Sequence, residues 1–161
     1  DYLQNRGWQK DVTLRGFSFS PLAPQGEPGE SIFIDYPSPD SKVLWTFNSR
    51  LGKYERTVSG QPMRDSLSKQ AIAVENVIIY FAEHSRTDII EDSTGATSVR
   101  IEMNGEGTAW IFRDGVWLKG IWRTDGKNTP EFLNARGRPI PLKPGQTWIQ
   151  VVPTDYEIGV E

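Results

Sequence analysis

The chain has 161 residues, enough for one domain with a sizeable core, and 11% of them are aromatic, so a few large rings can bury much area. It has no cysteine, which excludes a disulfide scaffold, a zinc–thiolate site and a cysteine nucleophile. Its net charge of −3 is too mild for a nucleic-acid-binding protein, and it has no run of about 18 apolar residues that would form a membrane-spanning helix.

The first part of the chain is predicted to contain short strands separated by turns. Residues 1–16 are interpreted as a remnant of, or linker from, an upstream domain, and residues 17–161 as a single all-β domain. A first strand is predicted at 12–20, followed by a Pro- and Gly-rich loop at 21–30. Further strands rich in β-branched and aromatic residues are predicted at 31–36, 43–47 and 53–58.

The middle of the chain holds the one predicted helix and the most apolar run. Ser59-Gly60 predicts a two-residue hairpin turn, and residues 64–73 predict at most one or two helical turns. Residues 75–85 are β-branched and apolar, which predicts a central strand, and an acidic loop is predicted at 86–96. Residues 97–103 alternate in polarity, so three apolar side chains are expected on one face: Val99, Ile101 and Met103.

The last third carries the clearest hairpin pattern. Asp114-Gly115 predicts a type I′ turn between strands at 107–113 and 116–122, because both central residues of that turn need positive φ. A second hairpin is predicted around 134–138, and the closing strand is expected to bury the ring of Trp148. About nine or ten short strands with minimal helix predict an antiparallel sandwich or barrel.

Charge is unevenly distributed along the chain. Residues 83–106 hold six Asp and Glu against two Arg, whereas residues 113–143 hold seven Lys and Arg against three Asp and Glu. These segments are either solvated faces that pair across strands or, for the second, a basic patch for an anionic partner.

Candidate catalytic groups are few. His84 is the single histidine, and sequence proximity to Asp88 does not make a triad, so a structural hydrogen bond is the preferred interpretation. The acidic loop could supply the two carboxylates that a glycosidase needs. Residues 123–131 do not match the EF-hand pattern of a calcium-binding loop. No phosphate-binding, dinucleotide-binding or metalloprotease motif is present, so we assign no catalytic residue, no metal ligand and no cofactor.

The polar loop at 122–130 is the predicted interaction surface, because functional residues concentrate on loops held by rigid sheets. Arg123 could clamp an anionic group or could instead bind within the protein. Five residues are the candidate ligand-binding set: Arg123, Lys127, Asn128, Arg138 and Gln146.

Four segments in this order and spacing resemble the C-terminal domain of the YerB-like bacterial lipoprotein family: ENVIIYFAEHS, GTAWIFRDGVWLKGIWR, NTPEFLN and PGQTWIQVVP. The resemblance covers about residues 17–153. It implies an exported, lipid-anchored envelope protein with two domains, of which the N-terminal one is absent here apart from residues 1–16. The family is one of unknown function, and the resemblance supplies no catalytic residues.

The expected function is therefore a non-catalytic, extracytoplasmic binding or scaffold domain of a bacterial cell-envelope lipoprotein. The alternative is an accessory domain of an envelope hydrolase or transferase whose chemistry lies in the N-terminal domain. A third class is a purely structural partner of that domain. Expected partners are the N-terminal domain and either an anionic envelope polymer or another envelope protein, with no nucleic acid. Contact with the membrane is expected only through a lipid anchor outside this chain.

Overall fold

The described part of the chain is entirely β-structure. The computed structural model describes residues 16–37 and 40–161 and contains no helix within them. Thirteen strands lie in those ranges: β1 (Glu27–Pro28), β2 (Ser31–Asp35), β3 (Lys42–Asn48), β4 (Lys53–Val58), β5 (Gln61–Pro62), β6 (Ala73–Val74), β7 (Asn76–Ile90), β8 (Thr97–Glu102), β9 (Gly105–Arg113), β10 (Val116–Thr124), β11 (Glu131–Leu133), β12 (Thr147–Pro153) and β13 (Gly159–Val160). None of the described segments is a helix of the length and apolarity that crossing a membrane requires.

The strands form two sheets that pack as a sandwich and do not close into a barrel. The seven-stranded sheet has the order β1-β10-β9-β7-β12, with β11 also on β10 and β8 also on β7. The six-stranded sheet has the order β13-β2-β3-β4-β5, with β6 also on β4. The prediction of an all-β sandwich is confirmed, with one addition: β7 and β12 pair in parallel, whereas the other strand pairs are antiparallel.

Alternation along the strands places the main core between the sheets. Strand β7 presents every second residue to this layer, beginning with Val77, Ile79 and Phe81. These pack against the buried side chains of Trp45 and Tyr54 from the six-stranded sheet. Side chains of successive strand residues point to opposite faces, so the intervening residues of β7 need a second cover.

The second cover lies on the outer face of the seven-stranded sheet. Tyr80 and Trp122 stack there with ring centroids 4.4 Å apart, and the Trp122 indole donates a hydrogen bond of 2.7 Å to the carbonyl of Phe81. The segment after β10 folds back over these rings and buries Phe132 and Leu142 beside them. The central strand is consequently buried on both faces, which is why its sequence reads as a continuous apolar run.

Both predicted two-residue turns are present. Ser59 and Gly60 have φ values of 48° and 78°, and Asp114 and Gly115 have φ values of 55° and 76°. Positive φ at both central residues is the signature of a type I′ turn, whose twist matches that of the flanking strands.

The predicted helix at 64–73 is wrong. Arg64 and Ala71 instead form an isolated antiparallel bridge around a turn. The carboxylate of Asp65 accepts hydrogen bonds from the backbone N–H groups of Leu67 and Ser68, at 3.1 and 2.7 Å, which favours the turn over a helix. Lys69 adopts φ = 61°, which a right-handed helix does not allow.

The predicted boundaries around β7 and β8 also need correction. Strand β7 does not end at residue 85 but continues to Ile90, so the acidic loop is limited to the residues between β7 and β8. Residues 83–90 pair with β8 to form a two-stranded ribbon, which we call the arm. The alternation predicted for β8 is present, but its apolar face is exposed, with Val99 at 52% and Ile101 at 40% of full exposure.

Two sequence predictions concern the start of the chain. The linker at 1–16 and most of the strand at 12–20 lie outside the described residues. Within the described part, Phe19 forms an isolated parallel bridge with Leu142, and no longer strand is present before β1.

Candidate functional site

The loop that joins β10 to β11 is bridged by hydrogen bonds to its own side chains. The Asp125 carboxylate accepts hydrogen bonds from the N–H groups of Lys127 and Asn128, at 3.0 and 2.9 Å, and from the Asn128 amide at 2.8 Å. Hydrogen bonds from Asn128 and Lys127 hold the pKa of Asp125 below its usual range, so the carboxylate stays charged. Gly126 supplies the positive φ of 72° that this tight turn needs. The loop is therefore a defined surface, and the Asn128 side chain is engaged within it.

A cleft of about 280 Å³ opens beside this loop. It is lined by seven residues from the loop, its flanking strands and one earlier segment: Gly16, Arg123, Thr124, Asp125, Asn128, Thr129 and Glu131. The lining contains one arginine and two carboxylates, so the cleft itself is not basic.

Arg123 is occupied by a neighbouring carboxylate. Its Nε and Nη2 atoms lie 3.2 and 3.1 Å from Oε2 of Glu106, which is its direct cross-strand partner on β9. Both side chains are more than half exposed. Glu106 belongs to the acidic segment 83–106, so this contact is the pairing that the sequence offered as the alternative to a free binding arginine.

Lys127 lies in the loop before β11, and Arg138 lies in the turn after it. Both are exposed, and no hydrogen bond or ion pair within residues 16–37 and 40–161 engages the Lys127 ammonium or the Arg138 guanidinium. Arg138 ends a turn closed by Asn134, whose Oδ1 accepts from the backbone N–H of Arg138 at 3.1 Å. These two cations are available to an anionic partner.

Gln146 lies at the other end of the sheet from the loop. Its carbonyl accepts hydrogen bonds from the N–H groups of Glu75 and Asn76 at the start of β7. That end of the sheet is separated from the loop by the nine residues of β9, about 27 Å at the usual rise per residue. Gln146 instead lines a groove of about 680 Å³ together with Trp148 and the turn at 65–74. The structure therefore brings Arg123, Lys127 and Asn128 together and leaves Gln146 apart.

The other groups singled out in the sequence have local partners. His84 lies within the arm, where its Nδ1 is 2.9 Å from the carbonyl of Ala82. Asp92 accepts three hydrogen bonds from Thr94 and Ala96 in its own turn. Among the described residues, no three His, Asp or Glu side chains converge as a metal-binding group.

A buried arginine was missed by sequence reasoning. Arg113 is fully buried and donates to the carbonyls of Ser20, Leu22 and Pro141 at 2.9–3.0 Å, and its Nη2 lies 2.8 Å from Asp114. Lys143 completes the network, with its Nζ 2.8 Å from Asp114. Three of the seven cations in 113–143 therefore have partners, and the segment is not one continuous basic patch.

The family follows from a comparison with known families. The model described as "Protein of unknown function (DUF3048) C-terminal domain" matches residues 32–149, well over half of the chain. The chain belongs to this family. The matched region contains both sheets except β1, β13, the first residue of β2 and the end of β12.

Two comparisons place this DUF3048 domain beside one bacterial protein. The chain is 25% identical over 162 residues to "Putative lipoprotein YerB" of Bacillus subtilis (strain 168), covering 95% of this chain and 46% of that protein. The crystal structure of YerB from Bacillus subtilis matches with a TM-score of 0.67 at 21% identity, covering 98% of this chain and 51% of that one. The resemblance stated from the sequence is thereby confirmed, and the chain spans about half the length of the curated relative it matches.

Proposed function

We propose that this chain is a non-catalytic binding domain of a lipid-anchored protein of the bacterial cell envelope. The relative YerB is named as a lipoprotein, which supports the compartment. The observation that carries the binding role is the internally hydrogen-bonded loop after β10, which presents Lys127 without an internal partner beside a cleft. Arg138 supplies a second free cation in the turn after β11.

The proposed partner of this surface is an anionic envelope polymer. Lys127 and Arg138 are the groups that would attract it, whereas Arg123 would contribute only by exchanging Glu106 for the ligand. Asn128 would contribute through its position in the loop, since its amide is held by Asp125. Gln146 would belong to a separate contact in the groove beside Trp148.

Charge reversal tests this surface. The variant Lys127→Glu/Arg138→Glu should lose most of its binding to a poly(glycerol phosphate) chain at low salt, with an unchanged melting temperature, because neither side chain has an internal partner to lose. Binding by the wild-type protein should weaken steeply towards physiological salt, where charges more than about 8–10 Å apart are screened. Affinity measured by calorimetry at several salt concentrations provides the readout.

Arg123→Glu and Arg100→Glu distinguish a binding role of Arg123 from a structural role in its ion pair with Glu106. Arg123→Glu should cost at most about 1 kcal/mol of folding stability, the range for an exposed ion pair. Arg100 lies on β8 and does not line the cleft, so its reversal is the matched control and should leave binding unchanged. If the wild-type domain does not bind the polymer at low salt, or binds equally well after reversal of Arg123, Lys127 and Arg138 together, the proposal fails.

The arm supports a second candidate function, docking onto the other domain of a full-length protein. A two-stranded ribbon is marginally stable in water by itself, yet this one exposes a row of apolar side chains on one face. Four residues form that row: Ile90, Val99, Ile101 and Met103. The matched relative is about twice as long as this chain, so the N-terminal domain is the proposed occupant.

Hydrogen exchange tests the docking proposal. In the full-length protein, backbone amides of residues 97–103 should exchange more slowly than in this chain alone, because the N-terminal domain would cover them. The variant Val99→Lys/Ile101→Lys should abolish that difference. Leu67, which is 91% exposed in a turn outside the arm, provides the control variant Leu67→Lys, which should preserve it. Equal exchange in the two wild-type proteins would exclude this interface.

A further inference from the structure

A charged side chain faces the core of the sandwich. Arg56 lies on β4 between Tyr54 and Val58, directly opposite Trp45 of β3. Because Tyr54 and Trp45 are fully buried between the sheets, alternation places Arg56 on the same inner side. Its guanidinium carbon lies 5.7 Å from the ring centroid of Trp45 and 4.9 Å from that of Trp148. The cation is therefore held between two indoles at the junction of the two sheets.

No carboxylate within the described residues contacts this cation. Nη1 donates to the sulfur of Met63, and the Nε–H group is buried without an acceptor. Burial lowers the pKa of Arg56. The arginine is thus a half-buried cation without a neutralising anion. Its desolvation is unfavourable for folding, which argues against a purely structural role.

The same place holds a second buried donor without an acceptor. Trp45 is fully buried, and its indole Nε1–H has no hydrogen-bond partner. Trp148 and Gln150 are satisfied by each other at 3.0 Å, and the Gln150 amide donates to the oxygen of Tyr36. That contact leaves the Tyr36 hydroxyl hydrogen free to donate. The site therefore has an excess of donors and lacks an acceptor that carries negative charge.

Part of the site faces solvent, although the Nε1 atom of Trp45 and the Nε atom of Arg56 are buried. Tyr36, Arg56, Trp148 and Gln150 are each half-buried rather than enclosed. The Trp148 ring also lines the groove of about 680 Å³ bounded by the turn at 65–74. Trp148 is the member of the site that lines this groove, so a ligand entering from the groove would reach the guanidinium past this ring.

We propose that Arg56, Trp45, Trp148 and Tyr36 form a binding site for one carboxylate group attached to an apolar or aromatic body. A guanidinium binds a planar carboxylate through two parallel hydrogen bonds, and the indole faces suit an apolar neighbour. A phosphate carrying nearly two charges would exceed the single positive charge in this half-buried place. The ligand is either a small organic acid or the carboxyl terminus of a peptide. This site is separate from the loop after β10, so either proposal can fail without the other.

Nuclear magnetic resonance of the wild-type chain provides the first test. Phenylacetate should shift the Trp45 Nε1–H and Arg56 Nε–H signals in a saturable manner, because those donors gain an acceptor. Phenylacetamide, which has the same shape without the charge, should leave them unchanged. N-acetyl-Ala-Phe with a free carboxylate is tested beside its C-terminal amide. Tighter binding of N-acetyl-Ala-Phe than of phenylacetate would indicate a peptide terminus as the ligand, and the reverse order would indicate a small acid. Inorganic phosphate should bind more weakly than either acid.

Variants provide the second test. Arg56→Met removes the charge at similar volume and should weaken binding about tenfold or more, the scale of a lost charge-assisted hydrogen bond. Arg50→Met is the control, since Arg50 is exposed in the turn between β3 and β4. If Arg56→Met does not fold, the comparison of acid with amide on the wild-type protein decides alone. Equal shifts by acid and amide, tighter binding of phosphate, or undiminished binding by Arg56→Met would each overturn the proposal.

Discussion

Replacement of Arg113 by methionine is expected to destabilise the domain by about 3–5 kcal/mol, the range for breaking a buried ion pair from one side. The guanidinium is fully buried and supplies hydrogen bonds to Ser20, Leu22 and Pro141. Methionine would leave these three backbone carbonyls without a hydrogen-bond donor. Asp114 would keep an ion pair with Lys143 but would lose the one with Arg113. Urea denaturation followed by tryptophan fluorescence measures the change in unfolding free energy.

A matched arginine shows whether burial is responsible. Arg123→Met removes an arginine whose ion pair is more than half exposed, and it should cost about 0–1 kcal/mol. If the two variants lost the same stability, the Arg113 network would not be the anchor inferred from its contacts.

Acid should act on the same network. Burial acts to raise the pKa of Asp114, but hydrogen bonds from Lys143 and Arg113 outweigh it and hold the pKa below its usual range. A carboxyl group with a lowered pKa in the folded state contributes stability above its unfolded pKa and loses it as the pH falls through the folded value. Arg113→Met should therefore be less sensitive to acid than the wild-type protein.

Trp122→Ala is expected to cost about 3–5 kcal/mol, since it deletes a large buried ring from the outer core. The ring stacks on Tyr80 and is 3% exposed. Trp122→Phe keeps an aromatic ring but removes the indole donor to the carbonyl of Phe81, so about 1–3 kcal/mol should be lost for an unpaired buried acceptor. Thermal unfolding followed by circular dichroism measures both variants.

An exposed apolar residue sets the baseline for this pair. Leu67→Ala changes a side chain that is 91% exposed and should alter stability by no more than about 0.5 kcal/mol. Trp122→Phe would contradict the assignment if it were as stable as the wild-type protein, because the indole hydrogen bond would then contribute nothing.

Local pattern predicted most of the strands but not how they pair. Asp114-Gly115 and Ser59-Gly60 identified their hairpins because positive φ at two successive residues is a local requirement. The parallel pairing of β7 with β12 joins residues about seventy positions apart and leaves no turn between them to read. The helix predicted at 64–73 failed because Asp65 bonds the backbone of its own turn.

The candidate site was predicted only in part. The loop after β10 was recognisable from its polarity between two strong strands, and the structure places a loop there between β10 and β11. The pairing register of β9 and β10 decides which charged side chains of the loop have a partner. In this register Glu106 lies opposite Arg123. Arg56 could have been noticed by extending the alternation of Tyr54 and Val58, yet charged residues usually point to solvent, and no local signal showed the exception.

The long-range pairing of β7 also bears on how the domain forms during synthesis. Its neighbours β9 and β12 come later in the chain. Strand β2 pairs with β13, which is made last. Glu161, next to β13, exchanges two backbone hydrogen bonds with Ser31. Contacts between such distant residues close slowly, on a scale of about milliseconds to seconds. Until β12 emerges, the most apolar strand of the protein has an open edge. We therefore expect newly made chains to be prone to intermolecular strand pairing, and to depend on a holding chaperone more than an equally stable helical domain would.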